Sequence, residues 1–171
     1  MNEMILLKLG EMVLKGLNRR SFEDKLQANI HRRLNDLGQF RVYTRQSTTY
    51  VEPMSEDCDV YGALEAIKKV FGIVGISRCA VCEKDMDAIR KTALEYLPAF
   101  LRSTATFKVE AKRSDKRFPL NSMDIAREVG GYLLSAIPTL RVDVHHPEII
   151  VHVEIREYGA YIHAGQFKGA G

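Results

Sequence analysis

Between Met4 and Val81 the hydrophobic residues alternate between two spacings, and this alternation limits the possible folds more than any other feature of the chain. Met4 to Leu9 is an apolar run of strand length that stops at Gly10. Phe22, Leu26, Ile30, Leu34 and Leu37 then recur at helical spacing up to Gly38, with Asn18 placed to cap the helix. Phe40 to Thr44 and Thr48 to Glu52 are rich in aromatic and β-branched residues and read as two strands around a turn near Gln46-Ser47. A helix beginning near Asp57 or Asp59 should carry Leu64, Ile67 and Phe71 on one side. Gly72 ends it, and Ile73 to Val81 forms a further strand.

The order strand, helix, strand, strand, helix, strand is the split βαβ pattern of ferredoxin-like domains, which places one α+β unit at residues 1–80. A second unit, 81–168, opens on a predicted helix from Met86 to Leu101 with Met86, Ile89, Ala93, Leu97 and Phe100 inward, bent near its end by Pro98. Ala105, Phe107, Val109 and Ala111 alternate with polar neighbours in a half-buried strand. A helix capped by Asn121 or Ser122 buries Ile125, Val129, Leu133 and Ile137, and strands are expected at Leu140–Val144, Ile149–Ile155 and Ala160–Phe167. Residues 169–171 read as the start of a linker.

Composition excludes little. The 171 residues are 46% hydrophobic and 27% charged, with 25 basic side chains against 22 acidic. No charged-then-apolar leader opens the sequence and no apolar run is long enough to span a bilayer, so a cytoplasmic protein without membrane contact is the expectation. Charge distribution says more. Arg19 to Arg45 holds seven basic residues and three acids, and Lys112 to Arg117 packs four basic residues around Asp115. Such segregation suits a polyanionic partner.

Two segments are candidate phosphate contacts. Lys15, Arg19 and Arg20 stand at a predicted helix start, where cations are locally unfavourable but free N–H groups attract anions. Lys112, Arg113, Lys116 and Arg117 lie on a loop that feeds a second helix start, and Phe118 beside them either stacks on a base or anchors the loop in the core. Cys79 and Cys82 have no second pair to complete a zinc site and read as reduced thiols within a strand. His145 and His146 diverge as strand neighbours; His152 and His163 can approach each other but lack a third ligand. No catalytic set, P-loop or metal site is visible, so no catalytic or metal-binding residue is assigned.

Leu9 to Glu23, with Gly10, Glu11, Lys15, Gly16, Asn18, Arg19 and Phe22, resembles the YGEIxLKGxNRxxFE opening of ThiI proteins, the tRNA 4-thiouridine synthetases. Phe71-Gly72-Ile73 is similar to their FGI turn. Phe107-Lys108-Val109, Lys112 to Pro119, Val129-Gly130 and Val153 to Arg156 resemble the core of a THUMP domain, which in family terms can begin as early as residue 60. Leu9 and Leu17 depart from the usual aromatic and Lys. The resemblance implies an N-terminal ferredoxin-like domain and an α/β THUMP domain that grip the acceptor stem and CCA end of tRNA. It further implies a following ATP- and Mg-dependent domain, a cysteine desulfurase as persulfide donor, a possible homodimer, and in some members a role in thiamine synthesis. The glycine-rich end would then lead toward that domain, and this region itself would bind rather than catalyse. Two rivals are a THUMP module serving another tRNA-modifying enzyme and a small-molecule regulatory module of ferredoxin-like fold.

Overall fold

The computed structural model describes residues 2–10, 19–101 and 105–171. It divides into two compact units, one made of Glu3–Arg78 with the returning tail Gln166–Gly171, the other containing Cys79–Gly165.

In the first unit, strand β1 (Asn2–Leu9) lies between β3 (Thr48–Pro53) and β4 (Ile73–Cys82), with β2 (Phe40–Arg45) outside β3. β1–β3 and β2–β3 are antiparallel, and Val51 lies opposite both Ile5 and Val42. Gln46 and Ser47, both at positive φ, close the hairpin between β2 and β3. Helices α1 (Arg19–Leu34) and α2 (Val60–Ile67) set Leu26, Ile30, Leu34, Ala63, Leu64 and Ile67 against Ile5, Leu7, Val42, Val51 and Ile76 in one core. This is the ferredoxin-like order expected from the alternating periods. Asp59 caps α2 by accepting from the Gly62 N–H at 2.9 Å; the expected Asn18 cap lies outside the described residues.

Phe71 is not on the buried side of α2. The helix ends at Ile67, Val70 takes the buried place, and Phe71 is 73% exposed in the turn that follows.

In the second unit, the end of β4 pairs antiparallel with β8 (Gly159–His163), β8 with β7 (Ile149–Arg156), and β7 runs parallel to β5 (Thr106–Arg113). The expected strand at 140–144 is only Arg141–Val142, labelled β6, parallel to β5. Helices α3 (Met86–Tyr96) and α4 (Ser122–Ala136) cover the sheet with Ile89, Ala93, Ile125, Val129 and Leu133 over Phe107, Val151, Val153, Ile155 and Ile162. Pro98 changes the end of α3 to a 3-10 turn at Leu97–Ala99, which rotates Phe100 outward to 41% exposure and buries Leu101 instead.

The strand expected over 160–167 is two strands. β8 stops at His163, the chain turns through Gly165 at φ 152°, and Phe167–Lys168 forms β9 against β4 of the first unit. The glycine-rich end is hydrogen-bonded to the first unit: the Gly169 N–H donates to the Val74 carbonyl and the Gly171 N–H to that of Ile73. No helix among the described residues is long and apolar enough to cross a membrane.

Candidate nucleic-acid interface

The loop from β5 to α4 is the more fully built of the two basic segments. The Ser114 N–H donates to the Ile155 carbonyl at 2.8 Å, which fixes the exit from β5. Asp115 then turns the chain by accepting from the Arg117 backbone N–H at 3.1 Å. Arg113 reaches across the loop and donates through Nη1 to the carbonyls of Phe118 at 2.9 Å and Leu120 at 3.4 Å. Phe118 is 6% exposed and packs in the core of the unit. Of its two possible roles, anchoring is therefore the one the structure builds; the ring is not presented for stacking on a base. Arg113 likewise serves the loop's own backbone.

What remains outward is Lys112, Lys116 and Arg117, all exposed. Asp115 forks the Arg117 guanidinium, with Nε at 3.0 Å and Nη2 at 3.3 Å from its two oxygens, and a second cation, Lys84, lies 2.6 Å away. These hydrogen bonds from Arg117 and then Lys84 hold the Asp115 carboxyl well below the usual carboxylate range, and Asp115 in turn raises Arg117. The start of α4 is less open to an anion than the sequence suggests. Asn121 Oδ1 takes the Asp124 N–H at 2.9 Å, and Asp124 itself stands in the first turn. The loop's cations, not the helix end, carry the positive character here.

In the first unit, Lys15 lies outside the described residues. Arg20 is exposed. Arg19 donates from Nε to Glu23 at 3.1 Å and from Nη2 to Ser47 Oγ at 2.9 Å, tying α1 to the β2–β3 turn. Thr48 lies opposite both Lys8 and Arg45 across the three strands. Lys8 and Arg45, both exposed, therefore share a sheet face beside that turn and add two cations that helix-start reasoning missed. Alternation along β1 and β2 was the signal that could have found them. Lys84, 31 residues from Asp115, had no such signal.

The opposite face of the second unit's sheet holds a polar group. His163 places one ring nitrogen 3.0 Å from Glu154 Oε2 and the other 3.1 Å from the Gly165 carbonyl, and stacks on His152 at 4.7 Å. Burial pushes Glu154 up, but the His163 hydrogen bond and Arg156 outweigh it and bring the carboxyl to about 2. Burial, then the neighbouring His163 charge, lowers His152. Among the described residues no group of three His, Cys, Asp or Glu side chains could hold a metal ion. Cys79 is buried within β4 and Cys82 is pushed up by burial, as inert strand thiols would be. A groove of about 390 Å³ in the first unit is lined by His31, Leu34, Asn35, Gly38, Gln39, Phe40 and Met54.

A ferredoxin-like unit followed by a mixed sheet with a pinned basic loop defines a two-domain class, and family models match both halves. The ThiI ferredoxin-like domain matches residues 4–77 and the THUMP domain residues 83–163. The chain belongs to the ThiI family, of which it carries the ferredoxin-like and THUMP domains. It is 42% identical to a probable tRNA sulfurtransferase of Acetivibrio thermocellus over 96% of this chain and 42% of that protein. A probable tRNA sulfurtransferase of Thermoanaerobacter pseudethanolicus is 43% identical over all of this chain and 43% of its own length. The chain thus spans less than half the length of these relatives. Among solved structures, a 4-thiouridine synthetase in complex with RNA and bound ATP superposes with a TM-score of 0.85 at 27% identity, over the whole of this chain and 43% of that one. PH1313 of Pyrococcus horikoshii Ot3 gives 0.79 at 28% identity, over 98% of this chain and 55% of its own.

Proposed function

We propose that this chain is the tRNA-docking region of a tRNA sulfurtransferase that makes 4-thiouridine, holding the acceptor stem and CCA end. The observation that carries the proposal is the end of β5 and the loop that follows it, where Phe118 and Arg113 fix the backbone while Lys112, Lys116 and Arg117 face outward. A preorganised cationic loop suits a phosphate backbone because its conformational cost is met in folding rather than in binding. Within the ferredoxin-like unit, Arg20, Lys8 and Arg45, with Lys15, are proposed as phosphate contacts of their own. The contribution is positioning: backbone contacts set the register of the RNA so that a distant uridine is delivered to the chemistry.

For the full-length protein the proposal includes ATP and Mg²⁺ as cofactors, a cysteine desulfurase as sulfur donor, a homodimer that shares one tRNA, and a cytoplasmic location. The described residues gather no cluster suited to the metal ion, and no step of docking runs through it.

Fluorescence anisotropy with an acceptor-stem minihelix ending in CCA, measured across a salt series, tests the docking. Log K should fall linearly with log salt, and K116A should flatten the slope by about one unit. Equal binding at low and high salt would defeat the proposal.

A further inference from the structure

Asp115 is the acid inside the basic segment Lys112–Arg117, and by summed charge it opposes binding of a polyanion. Its surroundings give it another part. The carboxylate is 9% exposed and receives Lys84 Nζ at 2.6 Å, while Lys84 also donates to the Glu157 carbonyl at 2.7 Å. Three segments of the unit therefore meet at the Lys84 ammonium: the residues before α3, the β5–α4 loop through Asp115 and the β7–β8 turn through the Glu157 carbonyl. From this anchored position Asp115 takes Arg117 through Nε and Nη2, so one edge of the guanidinium is fixed. The other edge, with both hydrogens of Nη1, belongs to a side chain that is 79% exposed. A planar fork held along one edge offers its remaining donors in a fixed direction, the geometry that phosphate oxygens select. The Glu157 carboxylate also acts on Arg117 through space.

We propose that Asp115 is a positioning residue for nucleic-acid backbone binding, holding Arg117 so that its free edge receives a phosphodiester oxygen. The inference rests on the docking role above and adds a sign that electrostatics alone would get wrong. Asp115→Asn makes the chain more positive, yet it should weaken minihelix binding roughly fivefold and flatten the salt slope toward that of Arg117→Ala. Arg117→Lys keeps the charge without the fork. It should bind like Arg117→Ala, and its exposed position keeps the fold intact if the Asp115 variant proves unstable by thermal unfolding. If Asp115→Asn and Arg117→Lys both bind as tightly as the parent, position is irrelevant and the inference is overturned. A parent chain that fails to bind the minihelix would instead overturn the docking role from which the inference starts.

Discussion

Arg113, the last residue of β5, and Arg117, in the loop after it, lie four positions apart in a segment where every basic residue suggests phosphate contact, and the structure gives them different work. Arg113 points along the loop into the carbonyls of Phe118 and Leu120, whereas Arg117 points out and is braced by Asp115. Residue type could not separate them, because a guanidinium donates to a backbone carbonyl as well as to a phosphate. The difference follows from strand alternation meeting a turn: Ala111, like Arg113, faces the covered side of β5, while Lys112 faces away. Arg113→Met should cost about 1–3 kcal/mol of stability by leaving part-buried carbonyls short of a donor. Urea unfolding measures this, and a Met variant as stable as the parent would show that the carbonyls find other donors.

At the scale of elements, the errors of sequence reading cluster where a helix or strand stops. Phe71 and Phe100 sit at positions that continue an apolar face, but α2 ends before the first and Pro98 tightens the chain before the second. Periodicity reports the face of an element, not its last residue, because a terminal turn is set by capping and by the packing of the next segment. The tail shows the same thing for strands. Its glycines read as a linker, yet Gly169 approaches the Ile73 carbonyl so closely that an added Cβ would come within 2.0 Å of the oxygen. Glycine is there for close approach to β4. Gly169→Ala should release the tail: the hydrogen-bonded amides of Gly169 and Gly171 should exchange slowly in the parent and at rates typical of open chain in the variant. Unchanged protection would mean that β4 can shift to admit the methyl group.

For the molecule as a whole, stability should depend on acid through Glu154. Its carboxyl falls from an ordinary 4.5 to about 2 in the folded unit, through the His163 hydrogen bond and Arg156 working against burial. A depressed carboxylate binds its proton more weakly folded than unfolded, so its contribution is complete above about pH 4.5 and is lost as pH falls toward 2. The shift corresponds to at most about 3 kcal/mol. Stability measured against pH should therefore decline more steeply below 4.5 for the parent than for Glu154→Gln. Parallel acid limbs for the two would show that other carboxylates govern the loss.

The sequence by itself determined the kind of structure. Apolar spacing set the order of strands and helices in both units, and the family-like opening together with the block from Lys112 to Pro119 marked the segments to inspect. Those properties are local, carried by neighbours two to four residues apart. Only the tertiary structure decided which basic residues face outward, because that depends on groups distant in the chain. Lys84 reaches Asp115 across 31 residues, Arg19 reaches Ser47 across 28, and the tail returns to β4. Such pairings are selected by packing of the whole unit, where one carboxylate or carbonyl becomes the partner of whichever cation the fold brings to it.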